Sequence, residues 1–375
     1  MTRPGFEAAR CIVVKAGSSL LQAGEPVVAA IAGDIHVLRS RGVRVVVVSS
    51  GAVALGRARL NLPAGGLSLE QKQAAAAAGQ PRLLDLWDRA FALHGMISAQ
   101  TLLTLGVTEN RRSWLNARAT LATLLDLGVV PIVNENDTIA TDELRFGDND
   151  RLAARVAQLV AADLLVLLSD VTALHDADPR ASSAARPIHD IPVIDDRIHT
   201  MAGGANQVAG VGTGGMRTKI LAAELAGGSG CATAIARGTD TNPLLSLTRI
   251  DHGSWFHPAA SAANARERWI SGAVSPNGAV RIDSGAARAL IAGNSLLPVG
   301  VQTVEGQFSR GDTIRILGPD GTVVARGVSA YSADDARRIA GCRNEEFESR
   351  LGYRRAAALV HADDVVTMTG GENIP

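Results

Sequence analysis

Lys15 stands near the end of a short apolar run, Cys11 to Ala16, and Gly17-Ser-Ser19 follows at once. A lysine at the carboxyl end of a buried strand with a small-residue turn beyond it is suited to bind an anion. Glycine lets the backbone approach, the serines add hydroxyl and amide donors, and the ammonium is a point charge for phosphate. Taken alone, the same lysine also reads as a strand end pointing to solvent. The second apolar run repeats the design in Val48-Ser-Ser50-Gly-Ala52, and two such turns at one sheet edge favour a ligand cleft.

Further along, Val211-Gly-Thr213-Gly214-Gly215-Met216-Arg217-Thr218-Lys219 precedes a helical segment. A glycine-rich turn opening a helix and followed by a lysine makes a phosphate cradle from orphan amides, the helix dipole and one cation. Gly210 to Gly215 also matches GxGxxG, but no apolar strand runs into it, so the dinucleotide fold lacks its context. Walker A fails too, because Lys219 trails Gly215 by four positions.

A third polar segment, Asn134 to Asp150, runs from a strand end to a helix start and is dense in carboxylates and carboxamides. Asp148 alone reads as a helix cap, yet the segment holds more polar groups than capping needs. Acids for an amine beside amides and hydroxyls for a carboxylate would suit a small amino acid. At Ser169-Asp170 another strand ends on an acid that could hold a ribose, an ammonium or, through water, a metal. The histidines lack metal-ligand spacing, and Cys11, Cys231 and Cys342 form no CxxC pair, so neither a zinc site nor a disulfide framework is expected.

These residues need a scaffold that gathers strand ends. Runs at Cys11 to Ala16, Val43 to Ser49, Met96 to Leu103, Val129 to Asn134, Leu164 to Ser169 and Cys231 to Ala236 are mostly continuously apolar, as in parallel strands buried on both faces. Helical segments Val27 to Arg41, Ser68 to Leu93, Asn116 to Leu127, Asn149 to Ala162 and Gly215 to Ala226 lie between them, the second opening with Ser68-Leu-Glu-Gln71 in capping-box style. The expected class is α/β, a three-layer αβα sandwich with a mainly parallel sheet. After residue 257 the pattern changes: 258–276 reads as a linker and 277–375 as a small β-rich domain with a turn at Gly318-Pro-Asp-Gly321.

Composition bounds the function. Of 375 residues, 46% are hydrophobic, and 37 basic side chains balance 37 acidic ones, which excludes bulk disorder and any global pull toward nucleic acid or an anionic membrane. No signal peptide or membrane-length apolar run is evident, so a cytoplasmic protein is expected.

In register, VVKAGSS, VVVVSSGAVALGR, QAAAAAGQ, VVPIVNENDTIAT, RFGDND, ADPR and GVGTGGMRTK span Val13 to Lys219. Together they resemble the amino acid kinase family, and within it the branch that phosphorylates the γ-carboxylate of glutamate. Gly306 to Asp312, Gly327-Val-Ser329 and Arg337 to Gly341 look like the PUA domain that many members append. Two positions depart from the family pattern, Ala16 and the Ala173-Leu-His175 stretch after Asp170. The resemblance implies that Lys15 and Lys219 touch the transferring phosphoryl group and Asp150 orients them. It further implies that Ser50, Asp137 and Asn149 bind L-glutamate, and that Lys15, Ser169, Asp170 and Thr213 through Lys219 bind ATP, with Mg²⁺ held mainly by the ATP phosphates. It also implies the first step of proline synthesis, feedback inhibition by proline, a homo-oligomer (dimer or tetramer) and a glutamate-5-semialdehyde dehydrogenase as partner. PUA domains elsewhere contact RNA, the rival reading. Against it, residues 277–375 carry eleven arginines and no lysine against twelve acidic residues, which leaves only local basic patches for phosphate. Another acid-phosphorylating member of the family is the nearer rival, opposed by the NENDTIAT and GDND loops.

Overall fold

A computed structural model describes residues 4–104, 111–139, 149–179, 182, 184–203, 215–258, 278–352 and 357–368. The chain divides into two compact units, Met1–Ala262 and Ala263–Pro375. The linker expected at 258–276 lies, except for Pro258, outside the described residues.

In chain order the first unit contains α1 (Pro4–Glu7), β1 (Cys11–Ala16), α2 (Ser18–Gln22), α3 (Glu25–Ser40), β2 (Arg44–Ser49), α4 (Ala52–Arg59), α5 (Leu69–Ala92), β3 (Ser98–Leu103), α6 (Arg111–Asp126), β4 (Val130–Glu135) and α7 (Asn149–Leu159). It continues with β5 (Leu164–Ser169), a small β6–β7 pair (Leu174–His175, Pro187–Ile188), β8 (Asp190–Ile191), α8 (Asp196–Gly203), α9 (Met216–Gly227), β9 (Ala232–Arg237) and β10 (Ser254–Phe256). Eight strands form one sheet in the order β3-β4-β2-β1-β5-β9-β10-β8. From β3 to β9 every pairing is parallel, and β10 then pairs antiparallel with β9.

Both faces of this sheet are covered, which is why its central strands read as continuous apolar runs. One layer packs Val28, Ile31, Ile35 and Leu38 of α3 and Leu83, Trp87 and Phe91 of α5 onto Ile12, Val14, Val45, Val47 and Ile132. The other packs Leu121 of α6, Leu152 and Val156 of α7 and Ile220 of α9 onto Val13, Val46, Val48, Val133 and Leu167. Within the first layer, Asp34 of α3 is a buried acid whose Oδ2 accepts the Leu244 and Leu245 amides at 2.8 and 3.1 Å. It thereby caps the 3-10 turn Leu245–Thr248 from a different element.

Two glycine features shape the edge where the site lies. Gly51, at φ 105°, occupies the left-handed region that a side chain disfavours and lets the chain turn from β2 straight into α4. Between α4 and α5 the backbones touch: a methyl group at Gly79 would lie 1.8 Å from the Ala52 carbonyl oxygen, and one at Gly56 would lie 1.7 Å from that of Ala75. α5 opens with the capping box at Ser68 and Gln71 and continues through Pro81.

The second unit is richer in helix than its sequence pattern predicts. Five strands, β11 (Gly278–Ile282), β12 (Val301–Gly306), β13 (Thr313–Leu317), β14 (Val323–Val328) and β15 (Val365–Thr367), form a sheet in the order β12-β11-β13-β14-β15. Helices α10 (Ser284–Ile291), α11 (Ala333–Ile339) and α12 (Phe347–Leu351) close its core around Tyr331 and Phe347. These helices are too short for their periodicity to stand out from alternating strands.

Candidate active site

Strand parity sends each polar residue at the carboxyl edge to one face. In β1, Ile12, Val14 and Ala16 belong to the α3/α5 layer and Cys11 and Val13 to the α7/α9 layer, so Lys15 joins the latter. α7 and α9 bring the other two charged groups to it. The Asp150 carboxylate, in the first turn of α7, receives Lys15 Nζ on Oδ1 at 2.6 Å and Lys219 Nζ on Oδ2 at 3.0 Å. The Thr218 hydroxyl lies 3.1 Å from the same Oδ2. All three charged residues are buried, with exposures of 6% for Lys15, 0% for Asp150 and 3% for Lys219.

Burial would push the Asp150 carboxyl up, but the ammoniums of Lys15 and Lys219 outweigh it and hold the group well below the usual carboxylate range. Two buried ammoniums beside one another would repel. One anion bridging both holds them side by side, and two cations to one anion leave a formal excess of positive charge.

The opposite face carries an uncharged polar network. Ser49 of β2 points into the α5 layer and accepts the Trp87 indole N–H at 2.8 Å. In β4 the same parity turns Asn134 toward α5, where its Nδ2 donates to Gln80 Oε1 at 2.9 Å. Asn134 Oδ1 accepts both the Glu135 backbone amide at 2.9 Å and Asn149 Nδ2 at 3.2 Å. Asn149 Nδ2 also donates to Ser50 Oγ at 2.7 Å. With its oxygen accepting from Asn149, the Ser50 hydroxyl can direct its own hydrogen at an external acceptor such as a carboxylate. The network therefore runs Gln80, Asn134, Asn149, Ser50, and Asn149 is the chain neighbour of Asp150.

Asp137 is half-buried just beyond β4. With Ala76, Ala77, Gln80, Pro81, Gln100, Leu102, Glu135, Asn136 and Thr138 it lines a cavity of about 200 Å³. At the end of β5, Ser169 is buried and donates to the exposed Asp170 at 2.9 Å. Gly215 caps α9 with extended backbone and no side-chain bond to the first helical amides, which include those of Met216, Arg217 and Thr218. Such amides are donors for an anion. Thr213 and Gly214 lie outside the described residues. Gly17-Ser-Ser19 is not an open turn: Ser18 and Ser19 begin α2. Of the departing positions, Ala173 is buried and its carbonyl lies 3.1 Å from His175 Nδ1.

Asn134, which opens the polar segment, and Gln80, which ends QAAAAAGQ, join the site although the sequence assigned neither a role. The sequence signal for Gln80 is its place at the end of that motif, a carboxamide closing the alanine-rich stretch of α5.

Residues 10–237 match the model of the amino acid kinase family and residues 278–351 that of the PUA domain. Glutamate 5-kinase of Caulobacter vibrioides (strain NA1000 / CB15N) is 52% identical over 366 residues, covering 96% of this chain and 97% of that protein. Glutamate 5-kinase 1 of Rhizobium meliloti (strain 1021) is 50% identical over 369 residues, covering 97% of this chain and 93% of that protein. Carbamate kinase from Giardia lamblia bound to AMP-PNP aligns over 67% of this chain and 99% of its own, at 17% identity and a TM-score of 0.48, a likeness too slight to carry an argument.

Proposed function

The chain belongs to the amino acid kinase family, and from that premise we propose that it transfers the γ-phosphoryl group of ATP to the γ-carboxylate of L-glutamate. The observation that carries this reading is the single carboxylate of Asp150 bridging Lys15 and Lys219. A glutamate carboxylate and the ATP γ-phosphate are both anions, so repulsion is the main barrier to their encounter. Phosphoryl transfer asks the protein chiefly for positioning and charge stabilisation. Two ammoniums held by one buried acid supply both without reorganising.

A γ-carboxylate oxygen attacks phosphorus in line, the bond from phosphorus to the β–γ bridging oxygen breaks, and ADP leaves. The attacking group is already ionised at neutral pH, so no general base is required. Lys15 and Lys219 face the charge that gathers on the transferring group and the leaving oxygen. The first amides of α9, with Ser169 and Asp170, hold the nucleotide. Ser50 and Asn149 orient the γ-carboxylate, and Asp137 takes the ammonium end. Asp150 is engaged by Lys15, Lys219 and Thr218 and so is a poor metal ligand; Mg²⁺ would be held mainly by the ATP phosphates and would supply charge neutralisation there.

The product, γ-glutamyl phosphate, is a labile acyl phosphate that opens proline synthesis and calls for prompt reduction by a partner dehydrogenase. Proline shares glutamate's ammonium and α-carboxylate and competes for the Asp137 side of the site, so saturating glutamate relieves its inhibition. Hydroxylamine trapping with ATP and Mg²⁺ tests the reading. Hydroxamate should form from glutamate and not from aspartate or N-acetylglutamate, and a preference for either of those would overturn it.

A further inference from the structure

The geometry points to Gln80 as a further binding residue for the amino acid: its Nε2 donates to the α-carboxylate of glutamate in the cavity beyond β4, while its Oε1 fixes Asn134. This rests on the functional reading above and adds the residue that recognises the non-reacting end of the substrate.

Carboxamide orientations along the network are set by one backbone group. The Glu135 amide can only donate, so the Asn134 atom it meets at 2.9 Å is the oxygen. Asn134 then presents its nitrogen to Gln80, and Gln80 must accept with Oε1. What remains is Gln80 Nε2, a donor that is buried and finds no partner among the described residues. A buried donor left without a partner is costly, and such a group calls for an acceptor.

That acceptor is identified by the cavity Gln80 lines. Asp137 on its wall suits an ammonium, and Pro81, lacking an amide hydrogen, leaves the Ala77 carbonyl without its helical donor. An α-carboxylate entering beside an acid needs a donor to hold it, and Gln80 Nε2 supplies one. The network also has the right two ends. Gln80 faces the cavity, whereas Ser50 and Asn149 stand beside the Asp150 pair, so a ligand with a carboxylate at each end spans it.

Gln80→Glu tests this, assayed by hydroxamate formation from glutamate and from isoglutamine, its α-carboxamide. Replacing the donor by a carboxylate should raise the glutamate KM about tenfold or more and leave the ATP KM within about twofold. The ratio of kcat/KM for glutamate to that for isoglutamine should fall about tenfold or more, because Glu repels a carboxylate and accepts from a carboxamide. Purely structural damage would leave that ratio unchanged. If Gln80→Glu does not fold, Gln80→Met, which removes the donor without adding charge, must also lower the ratio. Active wild type with an unchanged ratio in the folded variant overturns the assignment alone. Wild type that forms no hydroxamate from glutamate overturns the functional reading and the assignment with it.

Discussion

Asp34 and Asp150 are both buried aspartates on helices packed against the same sheet, one on each face, and burial pushes their carboxyl groups up in both places. Their outcomes are opposite. Asp34 meets two backbone amides, of Leu245 and Leu244, which only partly offset the loss of water, and its carboxyl stays above its ordinary value. Asp150 meets two ammoniums, and its carboxyl falls below the ordinary range. Neutral donors satisfy the geometry of a buried acid, whereas cations also satisfy its charge. The first arrangement ties a 3-10 turn to a helix. The second stores positive charge at a sheet edge.

Removing the anion should have the largest effect. Asp150→Ala leaves two buried ammoniums unpaired, and we expect a loss of about 3 to 5 kcal/mol in stability together with a fall in turnover of about a thousandfold. Asp150→Asn separates charge from shape. Turnover within about tenfold of wild type in a folded Asn variant would show that the charge is dispensable. Next comes Lys219→Ala, which should raise the barrier by about 2 to 4 kcal/mol while changing the half-saturating glutamate concentration little. Lys219→Arg should not restore activity, since a planar fork does not replace a point charge in a close-packed site.

Asp34→Ala should cost about 1 to 3 kcal/mol in a chemical melt by orphaning the Leu244 and Leu245 amides, with turnover unchanged. A loss of activity equal to that of Asp150→Ala would erase the distinction between the two acids. The smallest effect is a pH slope. Asp34 is raised in the folded state, so as pH falls through its folded value the native protein takes up the proton first and gains stability down to the ordinary value of 3.8. Asp150 is depressed, so its contribution is whole above 3.8 and is lost as pH falls below it. Urea melts above pH 4 should therefore lose the Asp34 slope in Asp34→Asn; an unchanged slope would mean that its carboxyl is not raised.

Much of the fold was legible because parallel strands covered on both faces must be apolar throughout, as in Val45 to Val48 and Leu164 to Leu168. β3, at the sheet edge, alternates less clearly because several of its side chains reach solvent, and the structure starts it two residues later than the pattern predicts. α4 went unread: it is eight residues long and has a glycine at its contact face. Lys15 and Lys219 could be singled out from a strand end and a glycine-rich helix start. The pairing of Asn134 with Gln80, 54 residues apart, could not, because it depends on which face of β4 Asn134 occupies. That parity follows only from the register of β4 against β2 and β3.

The close approach of α4 and α5 bears on the precision of the site. Gly79 abuts Ala52 with no side chain between them. Ser50 lies two residues before one of these positions and Gln80 one residue after the other. The two ends of the polar network are thus joined by main chain against main chain, a contact that no rotamer change can relax. Little conformational entropy is left at either end to be lost when an amino acid binds, so more of the interaction energy survives as affinity.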